Sequence, residues 1–414
     1  MTADVAVVGG GAAGMLAALS AASGGASVVL LEPNEKLGRK LYITGKGRCN
    51  LTNDCTPDEV LHHVTCNAKF LYSAANRFSP AAVKRFFYDL GVPLKTERGN
   101  RVFPVSDRAS DVIDALLRAL RRHRVAIVQA RARHVVTDGV RVTGVETDRG
   151  AISCKAIILV TGGMSYPRTG STGDGYTMAA ELGHTIVPLK PSLVPLEVEG
   201  TVCADLQGLS LSNVALQVKT ARGKAVYRAQ GELLFTHFGI SGPLVLSASA
   251  HTRDFERERY YALIDLKPAL DEQTLDARLL RDFSRHTNKA FANALDNLLP
   301  RRMIPVVVAR SGIPPQTRVH SITKRQRQEL LAVFKAFRLE IAGPRPIEEA
   351  VVTSGGVKVA EIDPGSMASK RLDGLFFAGE VMDVDAYTGG FNLQIAWCTG
   401  KVAGEAAAQY VQGG

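Results

Sequence analysis

Apolar runs and a helical pattern alternate at the start of the chain. Residues 4–8 and 27–31 are short apolar runs that predict buried β-strands. The segment between them, residues 12–23, is rich in alanine and predicts a helix. Two strands joined by one helix are typical of a βαβ unit, in which the strands lie parallel in one sheet.

More helices and a group of strands are predicted before residue 160. Ser79 followed by Pro80 is typical of a helix start, with serine as the cap and proline as the first helical residue. Residues 110–122 carry leucine and valine at helical spacing. Strand-like segments then follow closely, and we predict that they form one small meander sheet: residues 126–128, 134–137, 140–147 and 156–160.

The pattern changes after Gly183, where prolines at 188, 191 and 195 interrupt it. Alternating strands and two charged helices, 275–297 and 324–337, follow. Near the end, an apolar strand at 375–378 and a helix at 391–411 again resemble the first domain. We predict an α/β fold with these parts: a Rossmann-type cofactor domain (1–187), an inserted β-rich substrate domain (188–268 and 338–350), a helical subdomain (269–337) and the return of the cofactor domain (351–414).

A glycine-rich turn joins the first strand to the first helix. In this GxGxxG motif Gly9 permits the tight turn, Gly11 lets the backbone approach a pyrophosphate, and Gly14 allows close strand–helix packing. The N-terminus of the helix favours phosphate, and Glu32, which closes the second strand, can accept hydrogen bonds from a ribose. The motif assigns these residues to a dinucleotide: Gly9, Gly11, Ala12, Ala13, Gly14 and Glu32.

Three later features favour FAD over NAD as that dinucleotide. A late strand ends in Gly-Glu, a pattern that in flavoproteins reaches the ribityl chain. The last helix begins after a glycine pair, and its N-terminus can stabilise negative charge on a reduced flavin. A third strand ends in Thr-Gly-Gly, as in flavoproteins of the two-dinucleotide-binding type. These features add Thr161, Gly162, Gly163, Gly379, Glu380, Asp383, Gly389, Gly390, Phe391 and Asn392 to the predicted cofactor site.

Three blocks of sequence, residues 38–53, 231–243 and 379–394, match a known family. The chain resembles the bacterial FAD-binding flavoproteins that include aminoacetone oxidase, the flavin-linked bile-acid Δ4,6-reductase and ribosomal RNA dihydrouridine synthase. The resemblance implies an FAD domain, an inserted β-rich domain and a small helical domain. It does not fix the substrate, because members of the family differ.

A basic loop, which forms much of the first block, follows Glu32 closely. We expect it to lie along the cofactor, where its cations neutralise the pyrophosphate or hold an anionic substrate. The alternative is a solvated basic loop. Cys49 and Cys55 lack the spacing of a redox dithiol, and we expect Cys49 to be a packed small residue. The cofactor residues predicted in this loop are Arg39, Lys40, Gly45, Gly47, Arg48, Cys49 and Asn50.

Two further residues are candidates for catalysis. His237 lies in the second block, between Phe235 and Phe238, and Tyr387 precedes the glycine pair of the third block. A histidine among aromatic residues is often a structural group, so the catalytic and structural roles are both open for His237.

Charge and cysteine content narrow the choice of partners. A formal net charge of +10 suits an anionic cofactor, an acidic substrate or nucleic acid. The six cysteines are scattered, without metal-ligand or disulfide spacing, which favours a cytoplasmic location, and no metal site or membrane span is expected. Basic clusters such as residues 118–124 make rRNA a candidate partner, although solvated helix faces explain them as well. The oligomeric state stays open.

These patterns predict an FAD-dependent oxidoreductase that passes a hydride through flavin N5. The expected reaction is reduction of an activated C=C bond with NADPH or NADH as a dissociable donor, or the reverse oxidation of a small molecule. The inserted domain is expected to cover the flavin and select the substrate. The alternatives are an rRNA-modifying flavin reductase, an amine oxidase of the aminoacetone oxidase type and a non-catalytic flavin-binding sensor.

Overall fold

A computed structural model describes residues 1–285 and 287–413 of the chain. In chain order, its strands are β1 Val5–Val8, β2 Val28–Glu32, β3 Thr52–Asn53, β4 Leu94–Glu97, β5 Arg101–Pro104, β6 Ala126–Gln129, β7 Ala132–Thr137, β8 Val142–Thr147, β9 Gly150–Ser153, β10 Ala156–Leu159, β11 Ile186–Ser192, β12 Leu196–Val198, β13 Ser210–Thr220, β14 Ala225–Phe235, β15 Gly239–Ser241, β16 Tyr260–Asp265, β17 Phe337–Pro344, β18 Val352–Val357 and β19 Leu375–Phe377.

The helices are mostly short and lie between these strands. In chain order, they are α1 Ala12–Ser23, α2 Arg39–Ile43, α3 Pro57–His62, α4 Tyr72–Arg77, α5 Pro80–Asp89, α6 Ala109–Arg122, α7 Asp174–Glu181, α8 Val202–Asp205, α9 Pro243–Ser249, α10 Glu272–Arg285, α11 Met303–Arg310, α12 Lys324–Lys335 and α13 Phe391–Gly413.

The chain divides into two compact units. The first contains residues 1–192 and 346–413, and the second contains residues 193–345. The first unit is therefore built from two segments that are far apart in sequence. The predicted fold class, a Rossmann-type α/β domain with an inserted β-rich part, is confirmed.

The centre of the first unit is a five-stranded sheet in the order β19-β10-β1-β2-β6. All of its pairings are parallel. Every residue of β1, β2, β10 and β19 is buried, so both faces of the sheet are covered by other parts of the unit. Such strands are nearly continuous apolar runs, which is why the sequence pattern predicts them well.

Helices α1 and α13 pack side by side through small residues. A Cβ atom added to Gly400 would lie 2.5 Å from the carbonyl oxygen of Ala13, and one added to Gly404 would lie 2.3 Å from that of Ala17. The second contact lies four residues after the first in both helices, so the helices run parallel. The backbones approach each other so closely because these two positions carry no side chain.

The second unit contains a closed six-stranded barrel in the order β12-β15-β14-β13-β16-β17. Alternate residues of β13 and β16 are buried, as expected when one face of each strand points into the barrel. Helices α10, α11 and α12 bury Leu279, Val307 and Phe334 in the same hydrophobic core as the barrel strands. Barrel and helices therefore form one unit around one core.

Two predicted elements differ from the structure. Of the four segments predicted to form the meander, only β7 and β8 do so, together with β9, which was not predicted, whereas β6 and β10 belong to the central parallel sheet. Short apolar runs fit either sheet, and sequence pattern does not show which strand is the neighbour. The helix predicted over 275–297 ends at Arg285 as α10, and the described residues after it form short turns.

The contact between α1 and α13 gives a stability prediction. Alanine at an exposed helix position usually stabilises relative to glycine, by roughly 0.5–1 kcal/mol. We expect the opposite for Gly404→Ala, a loss of about 1–3 kcal/mol, because the new methyl group overlaps the Ala17 carbonyl oxygen. Urea unfolding measures the change. In the same helix Gly413→Ala is the control, since its Cβ would meet open space. Equal effects of the two variants would contradict the packing.

Candidate functional site

A deep cleft lies at the carboxyl edge of the parallel sheet in the first unit. It encloses about 1100 Å³ of space free of protein atoms, including some open to solvent. In an open α/β sheet the carboxyl ends of the strands are the usual place for a ligand. The segments after four strands line it: residues 9–13 after β1, Glu32 of β2, 160–162 after β10 and 379–380 after β19.

The three glycines of the GxGxxG motif have different surroundings. Gly9 has φ +117°, and a Cβ there would lie 2.5 Å from the carbonyl oxygen of Val160. A Cβ at Gly14 would lie 1.8 Å from the carbonyl oxygen of Gly9, so both residues are required by the fold itself. Gly11 is different, because a Cβ there meets no protein atom within 4 Å. Its missing side chain leaves open space in the cleft, which fits a bound pyrophosphate.

Two helix N-termini contribute to this cleft. Helix α1 begins at Ala12, and α13 begins at Phe391, with Asn392 and Leu393 on the cleft wall. Because Gly400 packs at the start of α1, the start of α13 lies nine residues further out, roughly 14 Å along the common axis at ~1.5 Å per residue. The first N–H groups of a helix lack intrahelical acceptors and favour negative charge. This staggered pair fits an elongated ligand with an anionic centre and an electron-rich end, such as the pyrophosphate and the flavin ring of FAD.

Glu32 lies at the inner end of the cleft and is almost fully buried. One carboxylate oxygen accepts a hydrogen bond from the Gly10 N–H at 2.8 Å. The other accepts from the backbone N–H and the side-chain amide of Asn34, at 3.0 and 2.6 Å. These donors hold the carboxylate in a fixed position beside the glycine turn, where a ribose of a dinucleotide belongs.

An ion pair crosses the opposite wall of the cleft. The Lys40 ammonium group donates to Glu380 at 2.8 Å and to the hydroxyl of Ser165 at 2.6 Å. Glu380 also accepts from the N–H of Thr353 at 2.9 Å. Both side chains are only about one-fifth exposed, so this pair is firmly held and places a cation and an anion on one wall.

The family-type loop 44–53 packs against the start of α13. The amide of Asn53 donates to the carbonyl oxygen of Gly389 at 3.0 Å. The amide of Asn50 is oriented so that its nitrogen faces the Thr52 carbonyl oxygen, and its oxygen accepts a hydrogen bond from the Gly390 N–H at 3.0 Å. A Cβ on Gly390 would lie 2.4 Å from the carbonyl oxygen of Thr52, so only glycine fits there. The first and third family blocks therefore meet at one point, and their residues position the N-terminus of α13.

Several residues predicted for the cofactor site do not line the cleft. Arg48 pairs with Glu97 and with Asp107, and its guanidinium stacks on Phe103 at 4.1 Å. The predicted residues outside the lining are the following, and their direct contact with FAD stays a prediction: Gly14, Gly45, Gly47, Arg48, Cys49, Asn50, Gly163, Asp383, Gly389, Gly390 and Phe391. The predicted residues that do line it are Gly9, Gly11, Ala12, Ala13, Glu32, Arg39, Lys40, Thr161, Gly162, Gly379, Glu380 and Asn392.

The two catalytic candidates belong to different units. His237 lies in the second unit, exposed in the turn between β14 and β15, with its ring edge against Phe238. Tyr387 lies in the first unit, half-buried just before α13. The ring of Tyr387 meets His63 at 6.1 Å, and His63 in turn stacks on Phe391 at 4.1 Å. The catalytic role of each residue stays a prediction.

Thiols near the loop are not prepared for redox chemistry. Cys49 is fully buried, and this burial raises its pKa to about 12. Burial, followed by the nearby charge of Glu59, raises the pKa of Cys55 to about 11. Both therefore stay protonated at neutral pH, and a thiolate is the reactive form.

Sequence reasoning missed several residues of the cleft. Asn34 fixes Glu32, and Gly38 has φ +68° where the chain turns into α2. Residues 169–171 and 351–352 also line the walls. Gly38 belongs to the first family block, so its role could have been predicted. Nothing in the local sequence indicates that residues 169–171 and 351–352 lie at the cleft.

Comparison with known protein families identifies the family of this chain. Residues 3–406 match the family model described as the HI0933-like protein Rossmann domain. The chain belongs to the HI0933-like family. It is 31% identical to the 3-dehydro-bile acid delta(4,6)-reductase of Clostridium scindens, over 98% of this chain and 99% of that one. It is 30% identical to the ribosomal RNA dihydrouridine synthase of Escherichia coli K12, over 95% of both. A dihydrouridine synthase of Haemophilus influenzae is 29% identical.

Solved structures share the fold of this HI0933-like chain at low identity. A 3-ketosteroid-delta4-(5alpha)-dehydrogenase from Rhodococcus jostii RHA1 matches with a TM-score of 0.53 and 16% identity, over 98% of this chain and 97% of that one. A 3-ketosteroid delta1-dehydrogenase from Sterolibacterium denitrificans matches with a TM-score of 0.52 and 13% identity, over 99% of both. These likenesses show the fold alone.

The family and the fold confirm the expected class of this HI0933-like protein, an FAD-dependent oxidoreductase. Among the described residues, no helix is long and apolar enough to cross a bilayer. Nor do residues 1–285 and 287–413 bring together three or more side chains that suit a metal ion.

The open space at Gly11 gives a prediction that separates binding from folding. We expect Gly11→Val to lower the stability of the apoprotein by at most about 1 kcal/mol, because a Cβ at this position meets no protein atom within 4 Å. The same side chain should weaken FAD binding by at least about tenfold, since it fills the space meant for the pyrophosphate. Thermal unfolding and retention of FAD on gel filtration measure the two effects. Gly14→Ala is the control, which should unfold the protein. Unchanged FAD binding in Gly11→Val would contradict this assignment.

Proposed function

We propose that the protein uses FAD to transfer a hydride from NADPH or NADH to an activated C=C bond, or catalyses the reverse oxidation. The observation that carries the proposal is the cleft of the first unit. Its glycine turn and two staggered helix N-termini suit a long dinucleotide with a phosphate centre and a flavin end.

Each wall of the cleft has a part in this proposal. Backbone N–H groups at residues 11–13 would hold the pyrophosphate, and Glu32 would hold the adenosine ribose. Lys40 and Glu380 would bind the ribityl chain, and the N-terminus of α13 would stabilise the pyrimidine end of the flavin. When bound, FAD supplies a ring that accepts a hydride from one molecule and passes it to another. The positive end of α13 favours the charge that gathers at the pyrimidine edge on reduction.

The names of the relatives support a reduction. A Δ4,6-reductase removes double bonds, and a dihydrouridine synthase adds two hydrogens to uridine. Both reactions add hydrogen across a C=C bond, although one substrate is a steroid-like acid and the other is a base in RNA. The addition of hydrogen across a C=C bond is therefore the step proposed for this chain.

The electron donor is proposed to bind only during turnover. The sequence has no second GxGxxG after a strand, so a separate domain for NADPH or NADH is not expected. The donor then docks directly over the flavin.

Modification of rRNA is the second candidate function. It is favoured by the two dihydrouridine synthases, which cover about 95% of this chain at 29–30% identity. Nucleic acid binding is electrostatic and weakens steeply with added salt. A chain with this function would reduce uridine in rRNA and would bind rRNA in a salt-sensitive way.

Anaerobic photometry of the purified yellow protein tests these functions. We expect NADPH or NADH to bleach the flavin colour, and a small conjugated enone to restore it. Restoration by an rRNA fragment and not by the enone favours RNA modification. Bleaching by small amines without nicotinamide favours an amine oxidase. A flavin that no donor bleaches contradicts both reductase functions and leaves only a binding role.

Tyr387 is proposed to donate the proton that completes reduction of the C=C bond. Its ring contacts His63, which in turn stacks on Phe391 at the start of α13. We expect Tyr387→Phe to lower kcat roughly 10²-fold while FAD stays bound, because general acid catalysis contributes about 10²–10⁴-fold. Bleaching by the nicotinamide should keep its rate, since that half-reaction needs no proton donor for the substrate. Tyr88→Phe, at an exposed position on α5, is the control. A normal kcat in Tyr387→Phe would remove the residue from the mechanism.

A further inference from the structure

A second concave site lies in the first unit, away from the cofactor cleft. It is a groove between helices α1, α5, α6 and α13, and it encloses about 1190 Å³ of space free of protein atoms, including some open to solvent. It has no lining residue in common with the cofactor cleft. We call it the helix groove.

Two arginines on one face of α6 line the helix groove. Arg118 and Arg122 are four residues apart, so they are neighbours on the helix surface, and like charges at this spacing destabilise a helix slightly. In the described parts of the chain, neither guanidinium has a carboxylate within ion-pair distance. Arg122 gains from its place in the last turn of α6, where the helix dipole favours a cation. Arg118 lies before that turn and gains little from it.

The acidic residues that line the helix groove do little to neutralise Arg118 and Arg122. Glu405 already accepts from Lys401 at 2.7 Å and from Arg77 at 3.1 Å, so its charge is neutralised twice. Asp89 is the remaining acidic residue of the lining, and it is exposed. The helix groove therefore has two guanidinium groups available for an anion.

The floor of the helix groove is apolar. Leu16 and Leu19 of α1 and Ala115 and Ala119 of α6 lie beneath it and are buried. The apolar surface that a ligand can reach is therefore that of Phe86 and Leu90, which are only partly buried. A site that combines an apolar floor with a pair of arginines suits a ligand with an apolar body and an oxyanion.

We propose that the helix groove binds a small amphiphilic anion, that is, a phosphate, sulfate or carboxylate group on an apolar ring or chain. The concave shape favours such a molecule over RNA. Single-stranded RNA is usually bound by several aromatic side chains on which bases stack, and Phe86 is the one phenylalanine of this lining, which has no tyrosine or tryptophan. This proposal does not depend on the reaction proposed above.

The helix groove is also linked to the cofactor cleft. Residues 12–13 of α1 and 392–396 of α13 line the cleft, and later turns of the same two helices line the helix groove. The two helices contact each other through Gly400 and Gly404, without flexible side chains between them. An occupant of the helix groove therefore contacts the two helices whose N-termini are proposed to hold FAD.

Isothermal titration calorimetry tests the site on protein saturated with FAD, which keeps the cofactor cleft filled. The probes are naphthalene-2-sulfonate, inorganic sulfate and uncharged 2-naphthalenemethanol. We expect the aryl sulfonate to bind in a 1:1 ratio and more tightly than the other two, because only it uses both the floor and the arginines. Added salt should weaken it.

Substitution of the arginines locates the binding. The double variant Arg118→Gln, Arg122→Gln should bind the aryl sulfonate at least about tenfold more weakly, with an unchanged circular dichroism spectrum. Arg149→Gln, at an exposed turn between β8 and β9, is the matched control and should bind as the unmodified chain does. Equal binding by the double variant, or no binding of any probe, overturns the proposal. So does an RNA oligonucleotide that binds through these arginines while the sulfonate does not.

Discussion

The close parallel packing of α1 against α13 is the constraint on which the site depends. Gly400 and Gly404 bring the two backbones within van der Waals contact, and this contact fixes the distance between the two helix starts. Since a helix rises by a constant amount per residue, the number of residues between Phe391 and Gly400 fixes how far apart the two positive helix ends lie. The electrostatic match to an elongated cofactor is therefore set by packing, and not by flexible side chains.

Much of the fold could be predicted from the sequence, because the parallel strands are continuous apolar runs and the glycine turn has a recognisable spacing. The same reasoning failed for β6 and β10, which were assigned to a meander, because an apolar run does not reveal its neighbour in the sheet. In the site, Glu32 and the glycines were found from local pattern alone. Arg48 was predicted at the cofactor for its charge, and its ion pairs with Glu97 and Asp107 could not be predicted, because both acids lie far along the chain.

Hydrogen bonds explain how the first and third family blocks act together. Asn50 and Asn53 in the first block bind the backbone of Gly389 and Gly390 in the third, and Gly390 has no room for a side chain against Thr52. Two blocks more than 300 residues apart are thus one structural element. A pattern seen in sequence as two separate motifs acts in space as a single support for one helix N-terminus.

The order in which the parts of the first unit leave the ribosome has a consequence for cofactor loading. Strand β19 and helix α13 are synthesised only after the whole second unit, residues 193–345, which is contiguous and can fold by itself early. Before that, β10 lacks its outer neighbour, and α1 lacks the helix that covers it. In the nascent chain, the apolar surfaces of β10 and α1 therefore stay partly uncovered for much of its synthesis. The site proposed for the flavin nucleotide is therefore complete only after α13 has been synthesised.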